Sequence, residues 1–252
     1  MSPQPERVET LIHPGWIVPV VPRGTVLDNY SLGIRDGRIA ALLPRPEAGH
    51  LQAERVLELP DHALLPGLVN SHGHAAMVLL RGYADDLPLM PWLERHIWPA
   101  ESAHVDGRFV ADGTELAITE MLRSGTTTFS DMYFFPDACV ETVHRLGMRC
   151  QITFPILDFP TAWARDADEY ISKGLRLRDD CKHLDLVSVG FGPHAPYTVS
   201  ADSLARVATL AAELDASIQI HLHETRGEVL QAVEATGERP LDSLNTCLLY
   251  TS

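Results

Sequence analysis

The sequence predicts an α/β fold in which short apolar strands alternate with helices and form a parallel sheet. After residue 60, apolar segments of strand length are repeatedly followed by amphipathic segments, as is typical of parallel sheets covered by helices. Histidine and acidic residues also gather at the C-terminal ends of the predicted strands. Active sites occupy that edge in (β/α)8 barrels and in open doubly wound sheets, so the pattern allows both architectures.

The first sixty residues lack this alternation and predict a small antiparallel β unit. The segment "SLGIRDGRIAALL" is typical of a hairpin, because Asp36 and Gly37 form a two-residue turn signal between two alternating stretches. We therefore expect a small β domain over residues 1–60 and a larger α/β domain over residues 61–245.

Five strand–helix units are predicted in the larger domain. The strands are expected at Leu64–Val69, Thr126–Met132, Arg149–Leu157, Leu184–His194 and Ser217–Glu224. The helices are expected at about Asp112–Arg123, Pro136–Leu146 and Asp166–Arg178, after the capping residue Ser200, and from near Arg226. A barrel of eight units, at roughly 30 residues each, would need about a hundred residues more than this chain has.

Composition and charge exclude several classes of protein. The 252 residues are 45% hydrophobic, which allows a sizeable core, and the net charge of -14 argues against nucleic acid or an anionic membrane as the main partner. Cys139, Cys150, Cys181 and Cys247 show no CxxC spacing, so we expect reduced thiols in a cytoplasmic protein. The sequence has no signal-peptide core and no apolar run that would span a membrane.

Two histidines one residue apart follow the first strand of the larger domain. Side chains two apart on a strand point the same way, so His72 and His74 can face one point beyond its end. Imidazole is a common ligand of zinc and iron, and this pair therefore predicts a metal site. The alternative is a pair of surface histidines. A second cluster, "IHLHE", contains His221, His223 and Glu224 and ends the fifth strand.

Taken together, four motifs resemble the amidohydrolase superfamily, and within it the 5-methylthioadenosine/S-adenosylhomocysteine deaminases. They are "LLPGLVNSHGH", "GTTTFSDMYF", "VGFGPHAPYTVS" and "IHLHET". The resemblance covers about residues 8–244. It implies a (β/α)8 barrel of the amidohydrolase kind, incomplete here with about five units, and a small N-terminal β-sandwich portion. It also implies a small nucleoside substrate and, as in many members, a homo-oligomer.

The resemblance implies one zinc ion per subunit, with iron as the alternative, held by His72, His74 and His221. His221 is favoured over His223 by its spacing to Glu224. The strand-six histidine and the strand-eight aspartate of the family have no counterpart in this sequence. The residues after 245, "TCLLYTS", depart from the family pattern. We therefore expect that residues 246–252 are a non-native tail on a C-terminally truncated chain with exposed sheet edges and poor solubility.

The same resemblance implies that Glu224 shuttles protons and contacts the substrate. It places Glu101 on the ribose hydroxyls, His194 on the purine and Trp92 against the substrate as an aromatic contact. Residue by residue, simpler alternatives exist: Glu224 as a solvated acid, Glu101 as an exposed acid at a helix start, and His194 as a turn histidine bonded to backbone.

Three further residues have two interpretations each. Asp131 ends the second strand and either orients a ligand histidine or caps the helix that follows. Trp98 and Met90 either form a lid with Trp92 or pack as ordinary apolar residues.

The implied reaction is hydrolytic deamination of 5′-methylthioadenosine or S-adenosylhomocysteine to the inosine analogue and ammonia. One alternative is another family member, acting as a guanine, pterin or triazine aminohydrolase or as a chlorohydrolase. Glu101 argues against this, because a free base has no ribose for it to bind. The other alternative is a catalytically inactive, metal-binding fragment.

Overall fold

The computed structural model describes residues 7–246, and the chain divides into two compact units, Met1–Gly67 and Leu68–Ser252. The domain boundary expected at residue 60 stays a prediction. Residues 247–252 of the expected tail, and Cys247 with them, lie outside the described residues.

The first unit is one sheet of five strands. They are β1 (Arg7–Ile17), β2 (Leu27–Asp28), β3 (Tyr30–Arg35), β4 (Arg38–Pro44) and β5 (Gln52–Leu64). The predicted hairpin is confirmed: Arg35 pairs with Arg38 across a turn in which Asp36 and Gly37 both have positive φ, 52° and 67°. Two such residues are the signature of a type I′ turn. A second sheet, which a sandwich would need, is not among the described residues of this unit, so the sandwich stays a prediction.

The expectation of a purely antiparallel unit is wrong. β2 and β3 are antiparallel to β1, but β5 runs parallel to it along the other edge. A 3-10 helix, Arg45–His50, carries the chain from the end of β4 back to where β1 begins, and its Ala48 is buried. That crossover makes the parallel pairing possible.

The second unit is a mixed α/β structure with a sheet of four parallel strands. In sheet order they are β6 (Leu68–Asn70), β7 (Thr126–Asp131), β8 (Arg149–Ile156) and β9 (Val187–Pro193). The α-helices are α1 (Leu89–Trp92), α2 (Trp98–His104), α3 (Gly107–Arg123), α4 (Pro136–Leu146), α5 (Ala167–Asp180), α6 (Ala201–Leu214), α7 (Arg226–Thr236) and α8 (Pro240–Thr246). A 3-10 helix, Ala75–Leu80, and a π-helical turn, Leu93–Ile97, complete the unit.

Capping residues explain where the helices begin and end. α4 has the predicted bounds and stops at Gly147, whose φ of 69° is the left-handed conformation of a helix C-cap. Ser200 caps α6 as predicted. α3 begins five residues before the predicted Asp112, because the Asp106 carboxylate accepts the N–H of Phe109 at 2.8 Å.

Two strand predictions are wrong. Leu64–Val69 is not one strand: Leu64 ends β5 and Leu68 begins β6, with Pro66 and Gly67 between them. Proline has no N–H to donate to a ladder, which ends the first strand there. The predicted strand Ser217–Glu224 forms only a single bridge, between Ile218 and Phe191.

The Ser217–Glu224 segment nevertheless follows β9 in the parallel sense. The Phe191 N–H donates to the Ser217 carbonyl at 2.9 Å, and the His221 N–H donates to the His194 carbonyl at 3.0 Å. The pairing stops where His223 adopts a left-handed φ of 57° and turns the chain. The segment thus brings His221 to the end of β9.

A close approach between α3 and the 3-10 helix fixes the backbone after His74. A Cβ on Gly113 would lie 2.6 Å from the Ala76 carbonyl oxygen, so only glycine fits at this position of α3. Within residues 7–246, none of the helices combines the length and the apolar character needed to cross a bilayer.

Candidate metal centre and active site

Three imidazoles converge at the C-terminal ends of the strands. His72 and His74 follow β6, and His221 comes from the segment beside β9. The Nε2 atom of His74 lies 3.4 Å from that of His72 and 3.2 Å from that of His221. The three side chains each offer a ligand atom, and these atoms lie within 4.8 Å of one another. The structure therefore brings the three predicted histidines together.

The outer nitrogens of two of these rings are bound to backbone carbonyls. Nδ1 of His74 lies 2.7 Å from the Met132 oxygen, and Nδ1 of His221 lies 2.8 Å from the His194 oxygen. Because a carbonyl only accepts, each Nδ1 carries the proton and donates it. Both Nε2 atoms then present lone pairs to each other, which no hydrogen bond between neutral rings can satisfy. A cation between them would satisfy both, so the donor set fits a metal ion.

Burial keeps His74 and the nearby His194 uncharged. Loss of solvent, with the neighbouring His221 and His72, lowers the pKa of His74 to about 4, although the bond to the Met132 carbonyl acts in the opposite sense. Burial, together with the neighbouring His221 and His74, lowers the pKa of His194 to about 3. These rings are therefore neutral at pH 7, and neutral imidazole is the form that binds metals.

Asp131 holds the backbone next to His74. It is buried at the end of β7, and its Oδ1 accepts the Ala75 N–H at 2.6 Å while the Cys139 thiol lies 3.7 Å from Oδ2. Burial raises its pKa to about 6. Asp131 thus caps the 3-10 helix after His74, and not the helix after its own strand as one interpretation expected.

Glu224 and His223 point in different directions. An oxygen of Glu224 accepts the Tyr197 hydroxyl at 2.9 Å, and Glu224 lines the same cavity as His221. The Nε2 of His223 instead accepts the Leu241 N–H at 3.3 Å, outside the imidazole cluster. The left-handed backbone of His223 separates the two histidines that the sequence left in competition.

His194 faces the cluster from the turn after β9. Its Nδ1 lies 2.9 Å from the Thr198 hydroxyl, and its ring centroid is 5.1 Å from that of His221. It lines the cavity, as a substrate contact would, and its ring bonds a hydroxyl and not the backbone that the simpler alternative expected.

These groups open into a cavity of about 550 Å³. Its polar side holds His74, His194, His221 and Glu224, while His72 lines a smaller adjoining cavity of about 290 Å³. Its other side is mainly apolar and includes Trp92, Trp98, Leu157 and Phe159. The Trp98 and Phe159 rings face each other with centroids 6.4 Å apart. Met90 is 38% exposed and does not line the cavity, so it forms no part of a lid with the two tryptophans.

Glu101 is a half-buried acid in the apolar part of the cavity. Its Oε1 accepts the Tyr133 hydroxyl at 2.7 Å. Burial raises the pKa of Glu101 to about 6, although the Tyr133 hydrogen bond favours the ionised form. The simpler alternative, an exposed acid at a helix start, is therefore wrong.

Sequence reasoning missed Tyr133 and Tyr197, the two tyrosines that bind the carboxylates of the cavity. Both lie inside the quoted motifs, in "SDMYF" and "PHAPY", next to the ends of β7 and β9. Their position after a strand was the available signal. Nothing local indicated their carboxylate partners, which lie 32 and 27 residues away in the chain.

Comparison with known proteins identifies relatives along most of the chain. The family model described as "Amidohydrolase family" matches residues 63–249. A 5-methylthioadenosine/S-adenosylhomocysteine deaminase from Saccharophagus degradans is 52% identical over 94% of this chain and 53% of its own length. The chain thus spans about half the length of the curated relatives it matches.

Solved structures extend the comparison to the fold. An adenosine deaminase from Xanthomonas campestris with bound zinc is 45% identical and superposes with a TM-score of 0.94, covering 97% of this chain and 56% of that one. Atrazine chlorohydrolase from Arthrobacter aurescens, complexed with zinc, is 18% identical with a TM-score of 0.85, covering 95% of this chain and 58% of that one. This last likeness concerns the fold only.

Proposed function

We propose, since the chain belongs to the amidohydrolase family, that it carries the metal-binding and much of the nucleoside-binding part of a hydrolytic deaminase. The substrates would be 5′-methylthioadenosine and S-adenosylhomocysteine, and the products the inosine analogue and ammonia. One observation carries this proposal: a single cavity joins three imidazoles, those of His74, His194 and His221, to two carboxylates. Glu224 lies on the imidazole side and Glu101 among apolar residues. The deaminase relatives support it.

His72, His74 and His221 would hold the metal through their ring nitrogens. Zinc is the proposed ion, one per subunit, with iron as the alternative. Zinc lowers the pKa of a bound water to about 7, which supplies hydroxide at neutral pH. The Met132 and His194 carbonyls keep the protons of His74 and His221 on Nδ1, so that their Nε2 atoms stay available.

Glu224 would move the protons. The two protons of the attacking water balance the reaction: as its oxygen adds to C6 of the adenine, Glu224 takes one of them and protonates ring atom N1. The other passes, with the help of Glu224, to the departing amine. C6 then keeps the oxygen and ammonia leaves. The Tyr197 hydroxyl holds the Glu224 carboxylate in the cavity that His221 also lines, and a general acid–base group has to lie close to the reacting atom.

Glu101 would bind the ribose, because its carboxylate can accept hydrogen bonds from two vicinal hydroxyls. Tyr133 orients that carboxylate. His194 would contact the purine, and Trp92 and Trp98 would pack against the apolar thioether group. Free-base aminohydrolases have no use for a half-buried acid at this position, so Glu101 favours a nucleoside over guanine, a pterin or a triazine.

We also propose that the parallel sheet is part of a (β/α)8 barrel of the amidohydrolase kind. The support is that His72 and His74 follow β6 and that the segment beside β9 brings His221 and Glu224 to the same edge of the sheet, the edge where barrel enzymes carry their active sites.

The test uses two proteins: this chain, and this chain joined after Asn245 to the strand-six to strand-eight segment of the Saccharophagus degradans relative. Bound metal is measured for both, together with the loss of adenine absorbance and the release of ammonia from each nucleoside. Deamination by the extended protein is the expected result, with Glu224→Gln as the blank for contaminating deaminase. Bound zinc without deamination would point to another substrate or to a metal-binding fragment. Absence of metal from both proteins would overturn the assignment of the three histidines.

A further inference from the structure

Glu228, in the first turn of α7, is a buried acid that the proposed chemistry does not use. Its exposed fraction is 7%. One carboxylate oxygen accepts the N–H of His223 at 3.0 Å, and the other accepts the N–H of Glu224 at 2.7 Å. Burying a carboxylate is costly unless it is hydrogen-bonded, so this pair of bonds holds a defined geometry.

The two N–H groups belong to an unusual turn. His223 has a φ of 57°, in the left-handed region that residues other than glycine seldom adopt. Without an acceptor, the turn would leave two N–H groups near the cavity unpaired, and each would lose a hydrogen bond to a charged group. The Glu228 carboxylate therefore stabilises the turn between His221 and Glu224.

We propose that Glu228 is a positioning residue for Glu224. The turn that it stabilises sends the Glu224 side chain to the Tyr197 hydroxyl and removes the His223 ring from the imidazole cluster. The inference rests on the proposed function for the role of Glu224, but the geometric part concerns this chain's own contacts. Glu228 does not touch the reacting atoms; it acts through the backbone of Glu224.

The simpler alternative is that Glu228 only caps a helix, and α5 offers a matched case. Thr225 caps α7 by accepting the Glu228 N–H at 3.1 Å, as Asp166 caps α5 by accepting the Glu169 N–H at 2.9 Å. Glu169 also reaches back to a backbone N–H, that of Arg165, at 3.0 Å. Glu169 is equivalent in its helix but lies outside the lining of the cavity.

The kinetic test compares Glu228→Gln with Glu169→Gln in the protein that shows deamination. Each N–H now bonds a different carboxylate oxygen, and glutamine replaces one of these oxygens with an NH2 donor. Glu228→Gln should therefore shift Glu224 and lower kcat by about 10- to 100-fold, as small misplacements of catalytic groups do. KM for 5′-methylthioadenosine and zinc content should stay unchanged. Glu169→Gln should leave kcat unchanged. A kcat loss of equal size in both variants would overturn the proposal in favour of helix capping.

A crystallographic test is independent of activity. In the structure of the Glu228→Gln variant, the Glu224 carboxylate should have left the Tyr197 hydroxyl and the backbone at His223 should have changed. An unchanged turn with Glu224 still on Tyr197 would overturn the proposal. If the parent protein showed no deamination, the proposed function would fail, while this structure would still decide whether Glu228 positions Glu224.

Discussion

The two sides of the cavity are built in different ways. On the imidazole side, hydrogen bonds between side chains and the backbone fix the geometry. The Met132 and His194 carbonyls bind the rings of His74 and His221, and the Glu228 carboxylate binds the backbone N–H of Glu224. On the opposite side, Trp92 ends α1 and Trp98 begins α2, and both line the apolar part of the cavity. A backbone hydrogen bond specifies one orientation, whereas apolar packing tolerates several. We therefore expect all-or-none effects on the first side and graded effects on the second.

The largest effect is expected for His221→Ala, which should abolish zinc binding and, with it, all deamination. Two histidines and solvent would remain where three ring nitrogens now converge, and metal sites depend on the full ligand set. Zinc affinity is measured by competition with a chelator. The matched control is His223→Ala, two residues away with its ring outside the cluster. Equal zinc loss in the two variants would contradict the assignment of His221, and not His223, as the metal ligand.

Glu224→Gln should lower kcat by about 10²- to 10⁴-fold, the range for loss of a general acid–base group. Zinc should remain bound, because Glu224 is not among the clustered ligands. Steady-state kinetics and metal analysis on one preparation separate the two effects. A variant that keeps its kcat would remove Glu224 from the proton transfer.

Glu101→Gln should raise KM for 5′-methylthioadenosine by about 10- to 100-fold, since a hydrogen bond to a charged group contributes about 1.5–3 kcal/mol. The 2′,3′-dideoxy analogue lacks the hydroxyls, so its KM should be unchanged by the substitution. A similar increase for both nucleosides would show that Glu101 shapes the cavity and does not bind ribose.

Glu101 should also affect stability in a pH-dependent way. Burial raises its pKa from 4.5 to about 6, so the folded protein holds this proton more tightly than the unfolded chain does. Its contribution is fully present below pH 4.5 and is lost as the pH rises through about 6. Relative to wild type, Glu101→Gln should therefore gain on the order of 2 kcal/mol of unfolding free energy across this window. Urea denaturation at several pH values measures the difference, and a constant difference would contradict the prediction.

The smallest effect is expected for Trp98→Ala, on the apolar side. It should lower the preference for 5′-methylthioadenosine over adenosine by only about fourfold. The reason is that burying one methylene-sized group contributes about 0.8 kcal/mol. Met90→Ala is the control, since Met90 lies nearby in the chain but outside the cavity lining. A loss of all activity in Trp98→Ala would show that the apolar side is as strictly specified as the imidazole side.

The differences between sequence and structure follow the same division. α4, the cap at Ser200 and the turn at Asp36-Gly37 match the predictions because each depends on neighbouring residues. The parallel pairing of β5 with β1 and the irregular path of Ser217–Glu224 were missed, since both depend on partners far away in the chain.

The sequence by itself determined the spacing of His72 and His74 and the nearness of Glu224 to His221, because side-chain direction along an extended segment follows from local geometry. The tertiary structure decided which nitrogens face one another, that Tyr133 holds Glu101, and that Glu228 stabilises the turn before α7. Hydrogen bonds between distant segments form only when the chain has folded, and residue spacing carries little information about them.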